Sequence, residues 1–273
     1  MYDNEAVLGR YVAFLSSILI TLWFLINKHS KYSNLYLIFI PLSIVVVIIS
    51  GDRAPLLRYL IFILLFAFII PRYHKAYIVM IFSSICLSFL IILNIPSAKE
   101  RFIKQTFEQM GDKNSILLAP YNKVYEELFA NALIIGKKNL MFGIGPNLFE
   151  KNCIELNMSS KKPNLCQAHP HNFYLQIFSE QGLIGLFQII LFYLSLIYIF
   201  MKNYLLMLKK KIGEQVFFKN NSFILLLICF IFPFIPNMNF YNNWNNVFLY
   251  IMVGLLLHLN SNLFKKQTNK LKA

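Results

Sequence analysis

The nineteen residues LIGLFQIILFYLSLIYIFM, 183–201, carry no charged side chain and do not alternate polar with apolar. A run of that length matches the ~20 residues that take a helix across a hydrocarbon core. In lipid every backbone N–H and C=O needs a partner within the protein, so an unalternating run must be helical. Six more apolar runs surround it, at 11–27, 35–50, 59–70, 76–95, 222–236 and 247–259. The runs at 59–70 and 247–259 fall below ~17 residues, and their helices are predicted to take in flanking residues. Hydrophobic residues make up 58% of the 273, with 27 Phe, where a soluble domain holds ~45–50%. Mean hydropathy is +0.57. No stretch has the basic start, short apolar core and small-residue cleavage site of a signal peptide. The sequence therefore predicts an all-α fold, a polytopic transmembrane helix bundle of about seven spans.

One segment, 96–170, is far more polar than the rest. The predicted organisation is four transmembrane helices over 1–95, a helical loop domain over 96–170, and three transmembrane helices with a basic tail over 171–273. The net charge of +14 invites a nucleic-acid reading. Its placement in loops between apolar runs predicts no nucleic acid and a membrane-lipid environment instead. Loops 28–34, 71–75 and 202–221 and the tail from 260 hold 13 of the 26 Lys and Arg and a single acid, Glu214. Alternating spans put all four on one side, which is then cytoplasmic. The start and the 96–170 loop fall on the outer side, and loops beyond ~60 residues are exempt from the charge rule. A start on the outer side without a signal predicts that the chain is the later part of a longer protein.

Within the loop, Val124, Leu128, Ala132 and Ile135 recur at helical spacing, predicting a helix over 120–135 with Gly136 as its C-cap. Phe102, Thr106 and Met110 mark a weaker helix, and GIGP at 143–146 a turn. These helices are predicted to lie on the surface and pack on the spans. Cys86 and Cys229 fall inside spans and read as inert core residues. Cys153 and Cys166 share the oxidising side, where a disulfide between them would add roughly 2–4 kcal/mol. Sequence alone does not fix that pairing.

The polar loop meets the 183–201 run through HPHNFYLQIFSEQG, residues 169–182. Asn172 is a good N-cap for the helical pattern that follows, so His171 is predicted to stand just before a helix N-terminus. The positive end of a helix disfavours imidazolium, and a neutral imidazole at the water boundary suits a general base. The other reading is a histidine that merely caps or anchors the interface, and both stay open here. Cys166, His169 and His171 lack a fourth metal ligand, so no metal is predicted. Glu180 either orients a side chain in the site or caps a buried polar group. Gly182 and Gly185 are predicted to permit close helix approach.

SGDRAPLLR, 50–58, places Arg53 where a span exits outward. Such an arginine needs a partner. The choices are Asp52, a lipid headgroup, or a diphosphate gripped by forked, charge-assisted bonds. Arg58 could share that task. Lys99, Arg101, Lys104, Lys123, Lys137 and Lys138 make the outer loop basic, as an anionic lipid-linked substrate requires. There is no P-loop, dinucleotide fingerprint or DxD-like pair, so no cofactor is implied. The spans hold almost no charge, which argues against an ion-coupled transporter.

HPHNFYLQIFSEQGLIGL, 169–186, resembles the histidine motif of the O-antigen ligase and polymerase family of bacterial inner-membrane proteins. That motif, His-Asn, then Leu, then Glu-x-Gly-x-x-Gly, falls on His171, Asn172, Leu175, Glu180, Gly182 and Gly185. SGDRAPLL is similar to the family's segment of Ser-Gly, an acid and Arg, with Arg53 as its arginine. NALIIGKKNLMFGIGPNLF, 131–149, resembles the segment ahead of the histidine motif, and DNEAVLGRY the outer loop before a mid-chain span. The resemblance covers nearly the whole chain but only the later part of a usual member. It implies metal-independent, inverting glycosyl transfer on the periplasmic face of the inner membrane. The donor would be a glycan on undecaprenyl diphosphate. The acceptor would be the lipid A core for a ligase or another lipid-linked glycan for a polymerase. His171 would activate the acceptor hydroxyl, with Glu180 and Asn172 positioning it. Arg53 and Arg58 would hold the diphosphate. Members often carry a further outer-loop arginine, where this chain reads APYNKVYEEL with Lys123, and Arg101 is the alternative. A non-catalytic transporter of lipid-linked glycan is the rival of a different class.

Overall fold

The computed structural model describes residues 7–26, 36–70, 74–110, 123–158 and 166–270. Every regular element among them is helical. The predicted apolar runs become α1 (Val7–Ile26), α2 (Tyr36–Ile49), α3 (Arg53–Ile69), α4 (His74–Asn94), α9 (Phe173–Leu208), α10 (Glu214–Phe230) and α11 (Asn243–Lys270). The loop segment contributes α5 (Pro96–Lys99), a π-helical turn (Glu100–Lys104), α6 (Gln105–Met110), α7 (Lys123–Lys138) and α8 (Phe149–Met158). Among the described residues three stretches are long and apolar enough to cross a membrane, Leu8–Ile26, Tyr77–Asn94 and Phe173–Leu208, and Ile38–Ile49 is a shorter apolar helix.

Several boundaries differ from the predicted ones, each for a local reason. α3 starts at Arg53 and not at 59, because Gly51 turns the chain in the left-handed region (φ 74) and Pro55 suits a first helical turn. α10 ends at Phe230, six residues before the predicted end, because Pro233 and Pro236 cannot continue a helix. Gly136 is not a C-cap. α7 runs on to Lys138, and the missing side chain of Gly136 makes room for the ring of Phe178. The start of the predicted 120–135 helix, up to residue 122, lies outside the described residues.

The described residues form two compact units. One is drawn from Met1–Phe102, Leu196–Phe230 and Phe248–Ala273, the other from Ile103–Ser195 and Ile231–Val247. In the first, α1, α2, α3, α4 and α10 pack on one another. Their core is aromatic. Phe66 lies 5.7 Å from Phe24 and 5.6 Å from Phe218, and Phe24 lies 5.9 Å from Tyr77, all edge to face. Such pairs add about 0.5–1.5 kcal/mol each beyond area burial. The Tyr59 hydroxyl meets Ser43 at 2.6 Å, which satisfies both polar atoms in the interior. Large apolar side chains such as Phe68 (78% exposed) and Phe82 (70%) face outward, as on a lipid-facing surface.

The second unit has its own core. Leu128, Ala132 and Ile135 of α7 close on Phe149 and Cys153 of α8, with Tyr125, Ile144, Cys166 and Leu175 around them. Three of the four predicted stripe positions are thus the buried face of α7. Cys153 is bonded to Cys166, thirteen residues on. Cross-linking a loop of that size stabilises by roughly 3 kcal/mol. Cys153→Ser should therefore lower the melting temperature of the purified chain, and dithiothreitol should produce the same drop in wild type and none in the variant.

Candidate active site

Asn172 caps α9. Its Oδ1 accepts from the N–H groups of Tyr174 (3.0 Å) and Leu175 (3.1 Å), and its Nδ2 donates to the Pro233 carbonyl at 2.9 Å. The residue before it, His171, sits in the left-handed region with φ 54. That conformation costs an L-residue roughly 1–2 kcal/mol and persists where neighbours over-determine it. Here they do. The His171 carbonyl accepts from the N–H of Asn237 at 2.7 Å, and Asn172 ties the next residue to the same 231–242 loop.

The His171 ring is half-buried among side chains of its own unit. Its Nε2 is hydrogen-bonded to Oε1 of Gln167. The His169 ring lies 4.1 Å away and the Tyr125 ring stands edge-on at 5.4 Å. With Gln167 Oε1 as acceptor, Nε2 carries the hydrogen, and in the neutral ring Nδ1 then keeps the lone pair. The arrangement can hold an imidazole in one orientation and one tautomer, as a proton acceptor needs. Cys166 is committed to the disulfide, so the Cys166, His169 and His171 trio does not coordinate a metal through sulfur.

Glu180 sits at the N-terminus of α8. It is fully buried, and it accepts from the N–H of Phe149, first residue of α8, at 2.9 Å and from Gln176 Nε2 at 3.2 Å. A carboxylate at a helix N-terminus meets the positive end of the dipole. Its charge is thus spent on α8 and not on the His171 ring. Gln176 passes the network on, donating to Asn239 Oδ1 at 2.8 Å and accepting from the N–H of Phe240 at 2.8 Å.

Gly182 breaks α9 with φ 69 and ψ −160. The 140–145 segment lies against this break, backbone on backbone. Ile144 and Gly145 donate to the carbonyls of Ser179 (3.1 Å) and Glu180 (2.9 Å), and Leu183 donates to that of Leu140 (2.8 Å). A Cβ on Gly182 would overlap Met141 and Phe142, and one on Gly143 would overlap Glu180 and Gln181. Gly182 therefore admits a loop, where close approach of a helix was predicted. The glycines of GIGP were the visible signal for this lock.

The loop NMNFYNNWNN, 237–246, carries partners of the site that the sequence did not point to. Asn237, Asn239 and Phe240 bind the α9 network, and Tyr241 accepts from Gln181 at 2.7 Å. Burial pushes the Tyr241 hydroxyl up to about 12, so it stays protonated through the physiological range.

The predicted phosphate-binding residues divide between the units. In the first, Arg101 Nε donates to the Gly51 carbonyl at 3.2 Å, which brings an exposed guanidinium onto the SGDR segment. Asp52 lies 3.9 Å from Arg10 in a salt bridge. Arg53, first residue of α3, is half-buried. Arg58 is 6% exposed, with its guanidinium 5.8 Å from the Phe14 ring centre. In the second, Lys123 opens α7, and its side chain lies outside the described part of the structure.

A family model described as O-antigen ligase matches residues 37–190. The chain belongs to the O-antigen ligase family. No curated protein and no solved structure gives a match. The match takes in SGDRAPLL, the GIGP lock and Glu180 with Gln176 and Phe149. Membership gives this O-antigen ligase family chain a glycosyl-transfer role in O-antigen processing at a membrane. Its general partners are lipid-linked glycan and lipid A core.

Proposed function

We propose that this chain transfers a glycan from undecaprenyl diphosphate to a hydroxyl of the lipid A core, at the periplasmic face of the inner membrane. The observation that carries the reading is the His171 ring. It is half-buried in a left-handed turn at the head of α9 and hydrogen-bonded at Nε2, so Nδ1 is its basic atom. The acceptor hydroxyl gives its proton to Nδ1 as its oxygen attacks the anomeric carbon. The bond from that carbon to the diphosphate breaks, the configuration inverts, and undecaprenyl diphosphate leaves with one more negative charge. By the family resemblance Arg53 binds the diphosphate through forked bonds and Arg58 shares that task, with Lys123 or Arg101 as the further cation. Asn172 holds His171 in place through the cap and the Pro233 bond. Glu180 holds it at one remove, by fixing Gln176 and with it the 231–242 loop.

Arg53→Lys keeps the charge and loses the fork. It should lower kcat/KM for the donor about 10–100-fold, the worth of one charge-assisted hydrogen bond, with protein level unchanged. Glycan banding tests the function itself. In a strain lacking the chromosomal copy, long glycans should stay on the lipid carrier and return to lipid A core when this chain is supplied. A strain whose lipid A core carries only a single repeat would point to polymerisation instead.

A further inference from the structure

A pocket of about 220 Å³ opens between the C-terminal end of α7 and the middle of α8, lined by Ile135, Lys138, Asn139, Asn152, Glu155 and Leu156. It is smaller than the ~300–1,000 Å³ of a drug-sized site, and so suits one ring and not a chain. Its chemistry is mixed in a specific way. Lys138 and Glu155 are both exposed and line the same pocket. Asn139 and Asn152 use Nδ2 on the carbonyls of Ile135 (3.3 Å) and Leu148 (3.1 Å), one turn back. That anchors both amides and leaves each Oδ1 as an acceptor. Ile135 and Leu156 supply an apolar patch beside them.

This set fits few ligands. A phosphate would find one ammonium with a carboxylate in the same small pocket. A divalent cation would find one carboxylate and an ammonium. A lipid tail would find four polar side chains. A pyranose ring fits, because its hydroxyls both donate and accept while its C–H face covers an aliphatic patch. We propose that the α7–α8 pocket is a subsite for a single sugar ring of the lipid-linked glycan, an assignment that rests on the glycosyl-transfer reading above. Ile135 lies ten residues along α7 from Tyr125, whose ring touches His171. At 1.5 Å per residue that is about 15 Å, so the pocket grips the glycan several sugars from the reacting carbon. Such remote contacts add binding energy that can be used at the reacting centre.

The test uses the full chain in detergent. The probe is the glycan released by mild acid from the lipid-linked pool of the protein's own host, and binding is followed by calorimetry. Wild type should bind it. The double variant Lys138→Ala, Glu155→Ala should bind about tenfold or more weakly, the loss expected for a charge-assisted hydrogen bond. The control Glu150→Ala, Lys151→Ala, exposed on α8 and outside the pocket lining, should bind as wild type does. Wild-type affinity in the pocket variant, or no binding by wild type, overturns the subsite. His171→Ala separates the two readings. If it still transfers glycan while the pocket variant has lost binding, the catalytic reading falls and the subsite stands. If it is inactive while the pocket variant binds normally, the subsite falls alone.

Discussion

Gly182→Ala should leave little folded protein. The added methyl meets two obstacles at once. Gly182 has φ 69, a conformation that costs any L-residue roughly 1–2 kcal/mol. Its Cβ would also overlap the backbone of Met141 and Phe142. Overpacking against atoms that cannot rotate away costs a further 1–3 kcal/mol or so. Relief would mean pulling the 140–145 segment off α9, breaking its bonds to Ser179 and Glu180 and exposing a buried carboxylate. The expected total is about 3 kcal/mol or more, a large part of a marginal stability. Gly213→Ala is the control, since its methyl would meet nothing within 4 Å, and it should stay within ~0.5 kcal/mol of wild type. Melting curves of the two purified variants decide the matter. Equal curves would remove the lock between GIGP and α9 from the account.

His171→Ala should leave the fold intact and remove the activity. The ring is half-buried and lies outside the hydrophobic core of its unit, and alanine also relieves no native bond of the main chain to Asn237. Positioned base catalysis contributes ~10²–10⁴ in rate, so cells carrying the variant should accumulate glycan on the lipid carrier at a normal protein level. Full-length glycan on lipid A core at wild-type intensity would exclude His171 as the base. A lowered protein level matching the lowered glycan would instead make it a structural residue.

How much of this was legible follows from the range of each interaction. Helices were readable because run length and lack of alternation are local. The ends of α3 and α10 were less so, since Gly51, Pro55, Pro233 and Pro236 sit inside or beside apolar runs whose hydropathy hides them. The break at Gly182 was not legible as a break, because a glycine at the head of an apolar run equally suits close helix packing. The cap at Asn172 and the place of His171 before it were visible from neighbouring residues. What holds His171 was not, as Asn172 reaches Pro233 across 61 residues and Gln176 reaches Asn239 across 63. An uncharged asparagine-rich loop carries no sign of its partners until the chain has folded. The partner of Glu180 was not legible either, since the Phe149 N–H that it accepts lies 31 residues back.

The most direct measurement is a single turnover by purified protein, with labelled donor bound first and lipid A core then added in excess. This separates binding from chemistry. The account predicts that His171→Ala binds donor within a few-fold of wild type and transfers it roughly 10²–10⁴ times more slowly. Transfer at the wild-type rate would contradict it. So would a loss of donor binding as large as the loss of rate, because His171 would then hold the substrate and not take its proton.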